Sequence, residues 1–210
     1  MGYFFTFLYL FIIYLILTIL KKLFNLSGDI TRKIMHIFSC LSVFIINYFY
    51  LNSIHMFIIP FIYIWLNYII IKFNLFSIMK RNTKHYGAIY FSITLFIGQL
   101  FVYFDNNLLE LSYYALLILA FGDGASGLFG ATLKHNFKLT KYKTLVGFIS
   151  FVICAFLSLI VVDKSLLCIG YMNILIVVIT SAVVELLTES GLDNFSIYFI
   201  SLFILKLMIL

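Results

Sequence analysis

A glycine-rich stretch with a single carboxylate is the feature of this chain best suited to chemistry. Residues 122–130 read GDGASGLFG, with four glycines in nine positions, and we expect a loop between two apolar segments. Glycine lets backbone N–H groups approach an anion closely, and a helix start adds partial positive charge. We therefore predict that Gly122, Gly124 and Gly127 bind phosphate and that Asp123 binds Mg²⁺, which prefers hard oxygen ligands. Close packing of membrane helices through small residues is the alternative.

A basic segment follows this stretch and ends at the next apolar run. Its lysines are Lys134, Lys138, Lys141 and Lys143. Lysine is a compact charge that suits phosphate oxygens. Thr144 follows Lys143 directly and Gly147 comes three residues after Thr144, so we predict a phosphate-binding role for these three residues. Basic loops also mark the cytoplasmic side of a membrane, and that explanation suffices for the other three lysines.

Two further polar clusters lie far from the glycines in sequence. Arg32, Lys33 and His36 open the second apolar segment, and on a helix Arg32 and His36 would face the same way. Arginine can bind phosphate through two hydrogen bonds, and histidine can act as an acid, a base or an anion ligand. The alternative is a basic anchor at the membrane interface, with the histidine hydrogen-bonded to a neighbouring helix.

The other cluster, residues 185–194, holds three of the eight acidic residues of the chain. Ionisable groups near a membrane are costly and are usually functional or paired. Glu185 and Asp193 are therefore candidates to share a metal with Asp123, and ion pairs with Arg32 or the lysines are the alternative. Gly87 begins an apolar segment, where its backbone can meet a ligand.

The elements that must position these residues are membrane helices. The chain has 210 residues, 64% apolar and 10% charged, with a mean hydropathy of +1.15, whereas soluble domains carry about 25% charged residues. We predict a single integral membrane domain over residues 1–210, an all-α, polytopic bundle of seven or eight transmembrane helices. The apolar segments are 3–20, 34–51, 54–71, 87–104, 107–121, 144–162, 166–187 and 195–210.

The charges orient this bundle. Twelve of the fourteen basic residues fall in loops on one side, which the positive-inside rule assigns to the cytoplasm. The same rule accounts for the net charge of +6, so we expect membrane lipids and no nucleic acid as partners. All the polar clusters fall on this cytoplasmic face, which predicts one composite site there.

Taken in order, the clusters resemble a known family, the CTP-dependent lipid-alcohol kinases. That family includes dolichol kinases, phytol kinases and CTP-using diacylglycerol kinases. The resemblance rests on RKIMH at 32–36, GAIYF at 87–91, GDGASGLFG at 122–130, KTLVG at 143–147, and Glu185 followed by GLDN at 191–194. Val146 stands where the family usually has glutamate, and Tyr198 where it has proline.

The resemblance implies transfer of the γ-phosphoryl group of CTP to the hydroxyl of a membrane lipid alcohol, with Mg²⁺ or another divalent cation as cofactor. It implies catalytic roles for Asp123, Lys143, His36 and Asp193. It also implies that Arg32, Lys33 and Asn194 belong to the site.

Two alternatives stay open. The stretch 122–147 is also similar to CDP-diacylglycerol synthases, although those enzymes end in a charged signature that this chain lacks. A small membrane transporter or a structural membrane protein is the alternative of a different class. Transporters usually place their key residues near the bilayer midplane, whereas these clusters flank the ends of apolar segments.

Overall fold

The regular structure of this chain is helical. A computed structural model describes residues 1–73, 86–132, 137–140, 143–163, 169–189 and 191–209. Within these ranges the only non-helical pairing is an isolated antiparallel bridge between Lys138 and Thr144. The helices are α1 (Gly2–Phe24), α2 (Gly28–Tyr50), α3 (Ile58–Phe73), α4 (Gly87–Phe104), α5 (Leu108–Leu117), α6 (Gly124–Thr132), α7 (Leu145–Asp163), α8 (Tyr171–Leu187) and α9 (Asp193–Ile209). A 3₁₀ turn, Ile54–Phe57, precedes α3, and a π-helical turn, Ile118–Asp123, joins α5 to α6.

The lengths and composition of these helices show an all-α integral membrane bundle. Six helical segments in the described ranges are long and apolar enough to cross a bilayer. They are Gly2–Phe24, Gly28–Tyr50, Ile54–Phe73, Gly87–Phe104, Leu108–Thr132 and Leu145–Asp163. Helices α8 and α9 have 17 residues each, about 25 Å at 1.5 Å per residue, against a hydrocarbon core of about 30 Å.

The expectation of a loop at residues 122–130 is wrong. The fifth apolar segment does not stop at Phe121 but continues as one helix from Leu108 to Thr132, through the π-helical turn that contains Asp123. Glycines lower helix propensity, which is why the sequence favoured a loop. Tertiary packing overrides that preference, because a Cβ on Gly122 would lie 2.7 Å from the ring of Phe151, and one on Gly124 2.5 Å from Ile37.

This long helix is the centre of the bundle. In its most apolar window 61% of residues are buried, against 11–39% in the other five candidate spans. It packs on α2, α7 and α9, while α1 packs on α2, and α3 packs on α4. Glycines at the crossings let the neighbouring helices approach closely. The central helix therefore holds Asp123 at a point that residues from several other helices can reach.

Candidate active site

The carboxylate of Asp123 is buried at the end of the π-helical turn and meets two residues of α2. Both of its oxygens accept hydrogen bonds of 2.8 Å from Lys33 Nζ. His36 Nε2 lies 3.4 Å from Oδ2 of the same carboxylate. Lys33 and His36 are three residues apart, so one face of α2 presents both to Asp123. This pairing joins α2 to the central helix.

A second ion-pair cluster forms around Lys143, just before α7. Lys143 Nζ donates to Asp193 Oδ2 at 3.0 Å and also contacts Glu185 Oε1. The Lys143 side chain is 15% exposed, and those of Glu185 and Asp193 are 2% and 9% exposed. Ion pairing with a lysine, one of the two interpretations of the acidic cluster, is therefore observed for both carboxylates. Their binding of a metal stays a prediction.

Electrostatics keep Lys143 charged. Burial lowers the pKa of its ammonium group, but the carboxylates of Asp193, Glu185 and Asp123 outweigh that effect and raise the pKa above its ordinary value. An opposite charge within a few ångströms favours the charged form of a group. Lys143 is thus a fixed positive charge at the start of α7.

The two clusters meet at a carboxylate triad. One oxygen each from Asp123, Glu185 and Asp193 lies within 4.8 Å of the other two. Oxygen ligands of this kind fit Mg²⁺, which binds few carboxylates and keeps its remaining positions for water and phosphate. Three carboxylates against two lysines leave one net negative charge, which a divalent cation can neutralise.

The turn before α9 fixes the third carboxylate. Asp193 Oδ1 accepts hydrogen bonds from the backbone N–H groups of Gly191 and Asn194, each 3.0 Å long. Gly191 has φ +110°, a conformation that L residues with side chains rarely adopt. Asn194 Nδ2 donates to the carbonyl of Gly87 at 3.2 Å, which ties the start of α9 to the start of α4. Gly87 and Asn194 therefore hold the helix ends that carry the site.

Ser126 is a site residue that the sequence argument did not select. Its Oγ donates to Glu185 Oε1 at 3.0 Å and is buried. Ser126 follows Asp123 by three residues, so on a helix the two share a face. The three-residue spacing could have indicated that Ser126 lies beside Asp123, but only if the stretch had been recognised as a helix.

Other predicted residues have different surroundings. Arg32 is partly exposed and lies 3.6 Å from Asp29 in the first turns of α2, and it is Lys33 that reaches Asp123. Thr144 Oγ1 accepts a 3.2 Å hydrogen bond from the Gly147 N–H, as an N-cap residue does at a helix start. Lys138 is exposed, in keeping with a role in topology alone. Lys134 and Lys141 lie outside the described residues.

The predicted phosphate-binding glycines face protein side chains in this structure. A Cβ on Gly127 would lie 2.3 Å from Lys33 Cε, so the absence of a side chain makes room for the lysine stem. Gly122 and Gly124 meet Phe151 and Ile37 in the same way. Close packing is thus the observed use of these glycines, and phosphate binding by their backbone stays a prediction.

Comparison with known protein families, curated proteins and solved structures gave no significant match for this chain. The site described by these contacts is therefore interpreted from its own chemistry. It is a buried cluster of three carboxylates, two lysines and a histidine, gathered from five helices or their first residues at one end of a membrane bundle.

Proposed function

We propose that this protein is a membrane-embedded kinase that transfers the γ-phosphoryl group of CTP to the hydroxyl of a lipid alcohol. The alcohol class is a polyprenol or dolichol, phytol, or diacylglycerol. The observation that carries the proposal is the convergence of Asp123, Glu185 and Asp193 with Lys33 and Lys143 in one buried cluster. The order of motifs along the chain supplies the choice of CTP and lipid.

Phosphoryl transfer suits such a cluster because it depends mainly on positioning and charge neutralisation. Asp123, Glu185 and Asp193 would hold Mg²⁺, which supplies positive charge to the phosphate oxygens when bound. Lys33 and Lys143 each contact a triad carboxylate, so either ammonium group can turn to a phosphate that binds beside the carboxylates. Arg32, at the more exposed start of α2, adds positive charge on the side from which a nucleotide would approach.

The reaction balances with CTP, the alcohol and water as the acceptor of one proton. The acceptor oxygen forms a bond to the γ-phosphorus of CTP, and the bond from that phosphorus to the β–γ bridging oxygen breaks. CDP leaves, the proton of the hydroxyl passes to water, and the lipid becomes a phosphomonoester. The lysines balance negative charge on both sides of the breaking bond, which is the main contribution that proteins make to this chemistry.

The proposal also specifies how the chain crosses the membrane. Helices α8 and α9 would cross the bilayer as short spans, giving eight crossings with the site at the cytoplasmic face. Asp193 is the first residue of α9, Glu185 lies three residues before the C-cap residue of α8, and Lys143 precedes α7. Helix ends meet the aqueous phase, where a nucleotide arrives, and the bilayer presents the lipid from the side.

The test is a transfer assay on the purified full-length chain with γ-labelled CTP or ATP and a panel of lipid alcohols. We expect a labelled lipid phosphomonoester with CTP. Glu185→Gln should reduce its formation by a factor on the order of 10² or more. Glu189→Gln is the matched control, since Glu189 is exposed just after the end of α8, and it should retain activity.

Two results would contradict the proposal. One is formation of a CDP-lipid and pyrophosphate from phosphatidic acid, which is the cytidylyltransferase reaction. The other is no labelled lipid from any acceptor, together with solute flux in liposomes.

A further inference from the structure

Beside Asp123, the Nε2 atom of His36 makes no hydrogen bond within the part of the chain that the structure describes. His36 Nε2 is buried and makes no hydrogen bond, although Asp123 Oδ2 lies 3.4 Å away. Its ring packs on the ring of Phe91, with 4.3 Å between the centroids. Buried polar atoms are almost always hydrogen-bonded, so an unpartnered one inside a site points to a missing ligand.

The rings of His36 and Phe91 pack against each other where α2 meets α4. Helix α2 packs mainly on α1, α6 and the π-helical turn, and α4 packs mainly on α3 and α9, while both helices also contact α5 and the 3₁₀ turn. Towards the middle of the bundle, a 3.0 Å hydrogen bond between Ser42 and Tyr63 joins α2 to α3. We name the boundary marked by His36 on α2 and Phe91 on α4 the α2–α4 seam. Because the main packing partners of α2 and α4 differ, these two helices can separate at the seam more easily than either can leave its main partners.

The depth of His36 fits a membrane-resident ligand. His36 is eight residues into α2, so it lies about 12 Å along the helix from Gly28. Its ring packs on Phe91, and its Nε2 lies beside the Lys33–Asp123 pair. A ligand here needs a polar group small enough to fit between an aromatic ring and a carboxylate, and an apolar remainder that tolerates the bilayer. A lipid with a terminal hydroxyl meets both requirements.

We propose that the acceptor hydroxyl hydrogen-bonds to His36 Nε2, and that the lipid reaches it from the bilayer through the α2–α4 seam by displacing the Phe91 ring. This assignment rests on the proposed function for its substrate class. It selects His36, among the polar groups of the site, as the residue that positions the hydroxyl beside Asp123. The carboxylates then bind the metal, and the lysines bind the phosphates.

The first experiment measures binding and needs no phosphoryl transfer. The purified full-length chain is titrated with geranylgeraniol, phytol and 1,2-dioctanoylglycerol, and with the methyl ether of each, which cannot donate a hydrogen bond. We expect at least one alcohol to bind roughly 10-fold more tightly than its ether. His36→Ala should remove that preference, and His36→Gln should restore part of it, since its amide can still accept a hydrogen bond.

His55 provides the matched control. It lies before α3, next to the opposite end of α2, where Tyr3 Oη is 2.6 Å from its Nδ1. His55→Gln should leave the preference for the alcohol unchanged. A preference that survives in His36→Ala, or a wild-type protein that binds no alcohol better than its ether, overturns the assignment.

Phe91 tests the route. Phe91→Ala should speed association of the preferred alcohol several-fold, because the displaced ring is gone. Tyr90→Ala, which removes the neighbouring and more exposed ring, should not. Equal association rates in wild type and Phe91→Ala would overturn access through the seam.

The labelled-CTP assay on the same variants separates this inference from the proposed function. If transfer occurs, His36→Ala should raise the KM for the alcohol about 10-fold and leave the KM for CTP unchanged. Transfer with an unchanged alcohol KM refutes the role of His36 and leaves the kinase standing. An alcohol preference that depends on His36, without any transfer, supports the binding site and refutes the kinase.

Discussion

Removing the positive charge of Lys143 should make the stability of this protein depend on Mg²⁺. The Lys143 ammonium lies against Glu185 and Asp193, whose side chains are 2% and 9% exposed. Lys143→Met leaves these two carboxylates without their cation, and Asp123 is close to both. Breaking a buried ion pair by removing one partner typically costs about 3–5 kcal/mol. We expect a loss of stability of that order without metal.

Mg²⁺ should recover much of the loss. In the wild type a metal must displace the Lys143 ammonium from the triad, whereas in Lys143→Met the carboxylates have lost that competitor. A cation that binds only the folded state at 100 times its Kd contributes about 2.7 kcal/mol. Adding Mg²⁺ should therefore stabilise the variant by about that amount, and the wild type by less.

The assay is thermal unfolding of the purified chain in detergent, with EDTA or with increasing Mg²⁺. Lys138→Met, at an exposed lysine of the same segment, is the control and should behave as wild type. The double variant Lys143→Met/Glu185→Gln should be more stable in EDTA than Lys143→Met alone, because it has one buried negative charge fewer. An identical response of Lys143→Met and wild type to Mg²⁺ would refute the triad as a metal site.

Three further predictions concern single groups. Asp123→Asn should lower turnover by a factor on the order of 10²–10³ while the protein still elutes as a folded species. Asp105→Asn, at a more exposed acid, should keep activity in the same assay. Near-normal turnover in Asp123→Asn would exclude Asp123 as a metal ligand. Gly127→Ala should place a Cβ 2.3 Å from Lys33 Cε and push the lysine off Asp123. We expect the free energy of unfolding in denaturant to fall by about 1–3 kcal/mol and turnover to fall as well. Unchanged stability and turnover would argue against this packing. The folded state raises the pKa of Lys143, so the stabilisation that its positive charge gives is complete below the ordinary pKa of 10.5 and is lost as the pH rises towards the folded-state pKa. The difference in stability between wild type and Lys143→Met should therefore stay constant from pH 7 to about 9.5 and narrow only at higher pH. A difference that disappears by pH 8 would contradict this prediction.

The membrane architecture could be predicted from sequence because the bilayer imposes it locally. A segment that crosses hydrocarbon must satisfy its own backbone hydrogen bonds, so apolar runs near 20 residues become helices. The predicted segments 87–104 and 144–162 correspond to α4 and α7 within one residue, and 34–51 corresponds to α2, which begins six residues earlier, at Gly28. The prediction failed at Gly122–Gly130, where glycine content suggested a loop and close packing on Phe151 and Ile37 produces a helix.

The sequence also predicted part of the candidate site, and the tertiary structure decided the rest. The chain order of polar clusters and apolar runs was enough to predict that Asp123, Lys143 and Asp193 lie at one end of the bundle. Only the tertiary structure decided their partners: Lys33, 90 residues before Asp123, pairs with that carboxylate, and Lys143 pairs with Asp193, 50 residues further on. Such pairings depend on the rotation and crossing of helices distant in sequence, which hydropathy and spacing along the chain do not encode.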